Sequence, residues 1–131
     1  MEDIEKFNIV GFAKKYFAEH RRGLFRRHVP VEEMLKYQSS LLKTPLMVLV
    51  PTLKKEACKC FKLVQKIMNP KTDVISNRSY IQQLIDKGIK NGGLRDEIFV
   101  QICKVCSLHF LTMAANHGKP KQVWLFLRWL F

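Results

Sequence analysis

The amino-acid sequence predicts an all-α fold, a compact single-domain bundle of about six helices. Apolar residues recur at helical spacing in several segments, as in Leu94, Ile98, Ile102 and Val105. No stretch shows the strict apolar and polar alternation of a β-strand, and no internal repeat or low-complexity tract occurs. A chain of 131 residues, 47% of them hydrophobic, is long enough to enclose one core. We therefore expect one helical domain.

The N-terminal region reads as one amphipathic helix followed by a linker. Apolar spacing predicts a helix over residues 8–22, and Gly23 is expected to end it. Residues 24–30 then form a basic linker with Leu24 and Phe25 as apolar anchors. This linker is either a solvated connector or a basic binding strip. We assign residues 1–30 to this helix and linker, and residues 31–131 to the main helical domain.

The next segment predicts short elements. Pro30, followed by two glutamates, favours the start of a short helix. The two serines at 39–40 are expected to cap a further short helix. An apolar segment then supplies core residues and ends at Pro51; its members are Leu41, Leu42, Leu46, Met47, Leu49 and Val50.

The clearest helix starts with Thr52 as its expected N-cap and ends at Asn69 and Pro70. Its predicted apolar face consists of Ala57, Cys60, Phe61, Val64, Ile67 and Met68. Almost opposite that face, a narrow arc holds the four side chains that we call the lysine face: Lys55, Lys59, Lys62 and Lys66. With no acid expected to relieve it, this face is either a solubilising exterior or a contact for an acidic partner.

Two further helices complete the central part of the chain. Ser79 and Gln82 have the spacing of a capping box, and Gly88 is expected to close that helix in the left-handed conformation. A core helix then begins near Leu94. Because Arg95 lies at its positive end, we expect the guanidinium to bind a carboxylate or the carbonyl end of a neighbouring helix.

The C-terminal part predicts a turn over residues 116–120 and a buried helix over residues 123–131. This last segment ends without a cap or polar tail. We therefore expect the domain to be truncated at its C-terminal end.

The composition indicates acidic partners. The chain has 23 basic and 11 acidic residues, a net charge of +12. The N-terminus lacks the apolar core of a signal peptide, and no apolar run reaches the ~20 residues of a membrane span. We expect a cytoplasmic protein with reduced thiols.

The sequence offers little for catalysis or metal binding. Cys103 and Cys106 form a C-x-x-C pattern, but Cys58 and Cys60 are separated by about 200° on a helix and would not reach one zinc ion. The four thiols are therefore interpreted as core residues. We expect no catalytic residues, no metal and no cofactor, and hence no enzyme.

Several segments together resemble a known family. They are Leu42 to Leu46, Glu56 to Gln65, Ile81 to Gly88, Leu94-Arg95-Asp96-Glu97-Ile98, and Gln101 to Lys104. In this order they resemble the myosin tail homology 4 domain, over roughly residues 41–130. The chain departs from the family at Val123, where glycine usually precedes the tryptophan, and it lacks the family's Pro-Ser segment and closing helix.

The resemblance implies a helical, non-enzymatic module that binds microtubules or acidic cargo proteins. Such domains occur in unconventional myosins, some plant kinesins and some Rho GTPase-activating proteins, often beside a FERM domain. We expect a cytoskeleton-associated protein whose Leu94, Arg95, Asp96, Glu97 and Gln101 are structural. The basic partner-binding residues are then expected to be the lysine face together with Arg21, Arg22, Arg26 and Arg27.

Nucleic-acid binding is the alternative function. The helix over residues 81–87 and the helix from Leu94 imitate a helix-turn-helix. The connection between them is longer than usual, however, and Asp96 and Glu97 would face phosphates with like charge. The sequence therefore favours a protein partner.

Overall fold

The computed structural model describes the backbone of residues 9–115 and the side chains of residues 10–106. These residues form a mainly helical fold, as predicted, together with one two-stranded sheet that was not predicted. In chain order the elements are α1 (Ile9–Tyr16), β1 (Arg21–Arg22), β2 (Arg27–His28), α2 (Val31–Met34), α3 (Pro51–Met68), α4 (Val74–Lys90), a 3-10 turn (Gly92–Leu94) and α5 (Arg95–Ala115). Strands of two residues are too short to show an alternation of apolar and polar residues, so no sequence pattern predicted them.

The core lies where α3 packs against α4 and α5. Phe61, Leu84, Leu94 and Ile102 are among its largest fully buried side chains. The predicted stripe, which starts at Leu94 in the 3-10 turn and continues along α5, is buried at all four positions. The 3.6-residue period therefore identified this interface correctly.

The first helix ends six residues earlier than predicted. Phe17 forms an antiparallel bridge with Met47, and the Ala18 amide donates to the Leu46 carbonyl at 2.8 Å. These long-range hydrogen bonds replace the bonds that a longer helix would make. Gly23, at φ 84°, lies in the turn between β1 and β2 rather than at a helix end.

The segment between α2 and α3 is not helical, so the helix expected after residues 39–40 is wrong. Tertiary hydrogen bonds hold this segment instead. The Gln65 side chain donates to the carbonyls of Gln38 and Ser39, both at 3.2 Å. Of the predicted core residues here, Leu42 and Leu46 are buried and Met47 and Leu49 are partly buried, whereas Leu41 and Val50 are exposed.

The helix starts also differ from prediction. α3 begins at Pro51 with Val50 as N-cap, because proline lacks the N–H that the first turn leaves unpaired. α4 begins at Val74, where Asp73 accepts a hydrogen bond from the Ser76 amide at 2.9 Å. The capping box at Ser79 is therefore wrong, since that residue lies inside the helix.

The end of α4 lies beyond the predicted glycine cap. Gly88 is buried within the helix, which continues to Lys90, and its φ is not positive. α5 begins at Arg95, next to the predicted start.

The predicted C-terminal turn and the buried helix over residues 123–131 lie outside the described residues. Among the helices that are described, none combines the length and apolarity needed to cross a bilayer.

Candidate interaction surface

Helix α3 separates apolar and basic side chains onto opposite sides. Its core side is formed by the predicted residues Ala57, Cys60, Phe61, Val64 and Ile67, none of which is more than 5% exposed. The predicted Met68 is partly buried. Leu63, which was not predicted, also belongs to this side and is 8% exposed. Lys55, Lys59, Lys62 and Lys66 are all exposed. Packing on one side therefore fixes where the lysine face points.

The lysine face is bordered by neighbouring segments. On one side, Gln65 binds the carbonyls of the loop before α3. On the other, the Lys66 ammonium lies 4.9 Å from the centre of the Tyr80 ring on α4, a cation-π contact. The lysine face therefore lies between the loop before α3 and helix α4.

Contrary to the sequence prediction, one acidic side chain reduces the repulsion between the like charges of the lysine face. Glu56 accepts hydrogen bonds from the ammonium groups of Lys59 at 2.6 Å and of Lys87 at 2.7 Å. These hydrogen bonds lower the pKa of Glu56 to about 2, and the bond from Lys59 has the larger effect. Lys87 lies on α4, so its contribution could be found only from tertiary structure. Lys55, Lys62 and Lys66 form no ion pair with a carboxylate in the described part of the chain.

The four predicted arginines lie together in the β1–β2 hairpin. The strands are antiparallel, with Arg21 opposite His28 and Arg22 opposite Arg27, and all these residues are exposed. The expected apolar anchors of this segment do not anchor it, since Leu24 is 93% exposed and Phe25 81%.

The Leu-Arg-Asp-Glu motif lies where α4 meets α5. Leu94 is fully buried. The Arg95 side chain donates through Nε to the Gly88 carbonyl at 2.9 Å, near the C-terminal end of α4. A guanidinium there lies at the favourable end of the α4 dipole. Asp96 is exposed.

Glu97 is fully buried and binds backbone amides rather than a basic side chain. Its two carboxylate oxygens accept from the amides of Leu46, at 2.9 Å, and Met47, at 2.8 Å. Gln101 extends the network by donating to Glu97, at 2.9 Å, and to the Ala57 carbonyl, at 2.8 Å. Burial raises the pKa of Glu97, while these three donors act in the opposite direction. The network joins α5, α3 and the loop before α3.

Lys104 is a structural residue to which no sequence pattern assigned a role. Its side chain is 2% exposed, and its ammonium donates to the carbonyls of Met34 and Lys36. Burial lowers its pKa to about 8. The only sequence feature that pointed to Lys104 was its place in the segment from Gln101 to Lys104, which resembles the family.

The cysteines do not form a reactive or metal-binding centre within the described residues. All four thiols are free, Cys60 is buried, and the other three are half-buried. Burial raises the pKa of Cys60 and of Cys106 to about 11. No group of three or more potential ligands converges among the described side chains.

Comparisons with known proteins relate this fold to cytoskeletal motors. No protein-family model matches the chain. The structure is similar to the MyTH4-FERM domain of Dictyostelium discoideum myosin VII, with a TM-score of 0.62 and 26% sequence identity over 79% of this chain and 21% of that one. The sequence is 25% identical to a kinesin-like protein of Oryza sativa subsp. japonica, over 96% of this chain and 11% of that protein.

These comparisons confirm the similarity to the myosin tail homology 4 domain that the motif residues predicted. The chain spans only a small part of each relative, about a fifth of the myosin chain and about a tenth of the kinesin-like protein.

Proposed function

We propose that this myosin tail homology 4-like chain is a non-enzymatic interaction module of a cytoskeletal motor or Rho-signalling protein, and that its lysine face binds an acidic protein surface. The family resemblance implies microtubules, or otherwise an acidic cargo protein, as that surface. The observation that carries the proposal is the row of Lys55, Lys62 and Lys66, exposed on a helix whose opposite side is fixed in the core.

The charge arrangement suits attraction to an anionic partner. The four ammonium groups share one side of α3, and within the described part of the chain only Lys59 among them pairs with a carboxylate, that of Glu56. The whole chain carries +12, which adds long-range attraction. Because exposed charges are screened over about 8 Å at physiological ionic strength, binding should weaken steeply with salt.

The contacts of the acidic residues and the pKa values of the thiols support a role without catalysis. The buried carboxylate of Glu97 binds two amides, and the exposed Asp96 lies apart from it on the helix. The described thiols have raised rather than lowered pKa values, unlike reactive cysteines.

Nucleic-acid binding through α4 and α5 is disfavoured by the burial of α5. A recognition helix needs exposed side chains to enter the major groove. Among the described side chains of α5, only Arg95 and Asp96 are exposed, while those from Glu97 to Cys106 are buried or half-buried. The segment of α5 from Glu97 to Cys106 therefore packs within the protein's own fold.

The parent protein is also part of the proposal. The myosin relative combines a MyTH4 with a FERM domain. We propose that a FERM domain or a Rho GTPase-activating domain adjoins this module, with residues 1–30 preceding the main domain. The whole protein would be cytoplasmic and associated with the cytoskeleton.

Microtubule co-sedimentation tests the lysine face. The variant Lys55→Glu/Lys62→Glu/Lys66→Glu reverses three charges and leaves the Lys59–Glu56 pair intact. We expect its affinity for microtubules to fall by about tenfold or more, because each reversed charge repels an acidic surface. The control Lys36→Glu/Lys43→Glu/Lys71→Glu makes the same change in net charge at exposed lysines outside α3, and it should bind much more tightly than the first variant.

Two results would overturn the proposal. One is equal pelleting of wild type and the lysine-face variant at low salt, with both shown by circular dichroism to be folded. The other is tighter binding of wild type to duplex DNA than to microtubules.

A further inference from the structure

The β1–β2 hairpin presents two large apolar side chains to solvent. Its turn is closed by the Arg26 amide, which donates to the Gly23 carbonyl at 3.1 Å. Leu24 and Phe25 occupy the turn and are 93% and 81% exposed. We call these two residues the apolar tip. Large apolar side chains that are adjacent and this exposed often mark an interaction site.

Arginines surround the apolar tip. Arg22 and Arg27 are directly opposite each other across the strands, and Arg21 is opposite His28. Like charges in opposite positions destabilise a strand pair. Within the described residues, the only carboxylate that pairs with these arginines is Glu19, 3.6 Å from Arg21. The hairpin therefore concentrates positive charge, which the described residues around it leave largely without carboxylate partners.

The base of the hairpin is fixed to the domain. Val29 is 8% exposed and its amide donates to the His20 carbonyl at 2.8 Å. The His20 ring donates through Nε2 to the Pro45 carbonyl, also at 2.8 Å. Because both ends are held by the folded domain, the apolar tip projects from a supported base.

We propose that this hairpin docks on an anionic phospholipid bilayer, with Leu24 and Phe25 entering the boundary between head groups and acyl chains. Arg21, Arg22 and Arg27 would bind lipid phosphates, which suit the guanidinium geometry. Apolar side chains flanked by basic ones are typical of segments that lie in a membrane interface. Each basic residue near an anionic leaflet strengthens attraction.

A bilayer suits the apolar tip better than a protein groove does. Two residues on a convex turn supply only a small part of the roughly 800 Å² that each partner contributes to a stable protein interface. A fluid bilayer adapts to a small convex insertion and needs no matching pocket. The hairpin thus provides a second docking surface, independent of the lysine face.

Vesicle co-sedimentation tests the proposal. Wild type should bind vesicles of phosphatidylcholine with one-third phosphatidylserine, bind pure phosphatidylcholine much more weakly, and lose binding as salt increases. Leu24→Ser/Phe25→Ser should lower the partition coefficient by about tenfold, because two apolar side chains no longer leave water. Arg22→Gln/Arg27→Gln should lower it by at least about tenfold, through lost attraction to anionic lipid.

A matched control replaces exposed apolar residues elsewhere. Val74 and Ile75 at the start of α4 are 62% and 83% exposed. The variant Val74→Ser/Ile75→Ser should bind vesicles as wild type does. A second measurement uses Phe25→Trp, whose fluorescence should be quenched by brominated lipid beyond the quenching of the native tryptophans in wild type.

The proposal is overturned if Leu24→Ser/Phe25→Ser binds anionic vesicles as well as wild type. It is equally overturned if wild type does not bind anionic vesicles in preference to neutral ones. Loss of microtubule pelleting by this variant, with vesicle binding unchanged, would assign the apolar tip to a protein partner. Both hairpin variants should retain microtubule binding if the two surfaces act separately.

Discussion

Single residues of α5 determine the path of the chain before α3. Glu97 holds the amides of Leu46 and Met47, while Lys104 holds the carbonyls of Met34 and Lys36. An irregular segment cannot pair its own amides and carbonyls as a helix does, so buried side chains must supply partners. Glu97 and Lys104 therefore supply the hydrogen-bond partners that regular secondary structure would otherwise provide to these backbone groups.

Replacing Glu97 with glutamine should destabilise the fold. The substitution keeps the shape but places an amide donor against a backbone N–H that needs an acceptor. Leaving a buried donor unpaired costs about 1–3 kcal/mol. We expect the free energy of unfolding, measured by urea denaturation, to fall by about this amount.

The neighbouring carboxylate supplies the control for this substitution. Asp96 is exposed, so Asp96→Asn should change the free energy of unfolding by less than about 0.5 kcal/mol. Equal effects of the two substitutions would contradict a specific role for the buried carboxylate.

Helices α3 and α4 are joined through both apolar and charged contacts. Leu63 and Leu84 are buried in the shared core. Glu56 on α3 adds the pairing with Lys59 and with Lys87 of α4. The same acid therefore links two helices and limits the charge of the lysine face.

The Glu56 pairing predicts a dependence of stability on acid pH. Its pKa is lowered from 4.5 to about 2 in the folded protein, so the unfolded state binds the proton more tightly. The stabilisation is present above pH 4.5 and is lost as pH falls toward 2. Since the pair is partly exposed, we expect it to contribute about 1 kcal/mol.

Thermal unfolding of Glu56→Gln between pH 7 and pH 2 measures this contribution. The variant should melt below wild type at neutral pH, and the difference should shrink as the pH approaches 2. Glu33→Gln, at an exposed glutamate of α2, is the control and should keep the dependence seen in wild type. A constant difference across the whole pH range would contradict the assignment.

At the scale of the whole molecule, one thiol is buried and the other three are half-buried, while most of the described charged side chains are exposed. Cys60 belongs to the core cluster, and Cys58 and Cys106 pack against it. Burial is the main cause that raises the pKa of each of the four thiols. Since the thiolate is the reactive form, folding should suppress cysteine chemistry.

Alkylation by iodoacetamide near pH 8, followed by mass spectrometry, tests this protection. The four thiols of the folded protein should react at least about tenfold more slowly than those of the chain unfolded in guanidinium. Rapid modification of Cys58 or Cys103 in the folded protein would show that burial does not protect these sites.

The sequence by itself determined the helices whose apolar period is strong. The buried stripe of α5 and the opposed sides of α3 follow from local geometry, because a helix rotates by about 100° at each residue. The motif beginning at Leu94 also pointed correctly to the family fold.

Only the tertiary structure decided where the backbone leaves helical geometry and which charges pair. Phe17 and Ala18 bond to the segment at Leu46 and Met47, which ends α1 early. Lys87 reaches Glu56 across 31 positions of sequence. Hydrogen-bond and ion-pair partners of this kind are close only in the folded chain, so a local sequence pattern does not predict them.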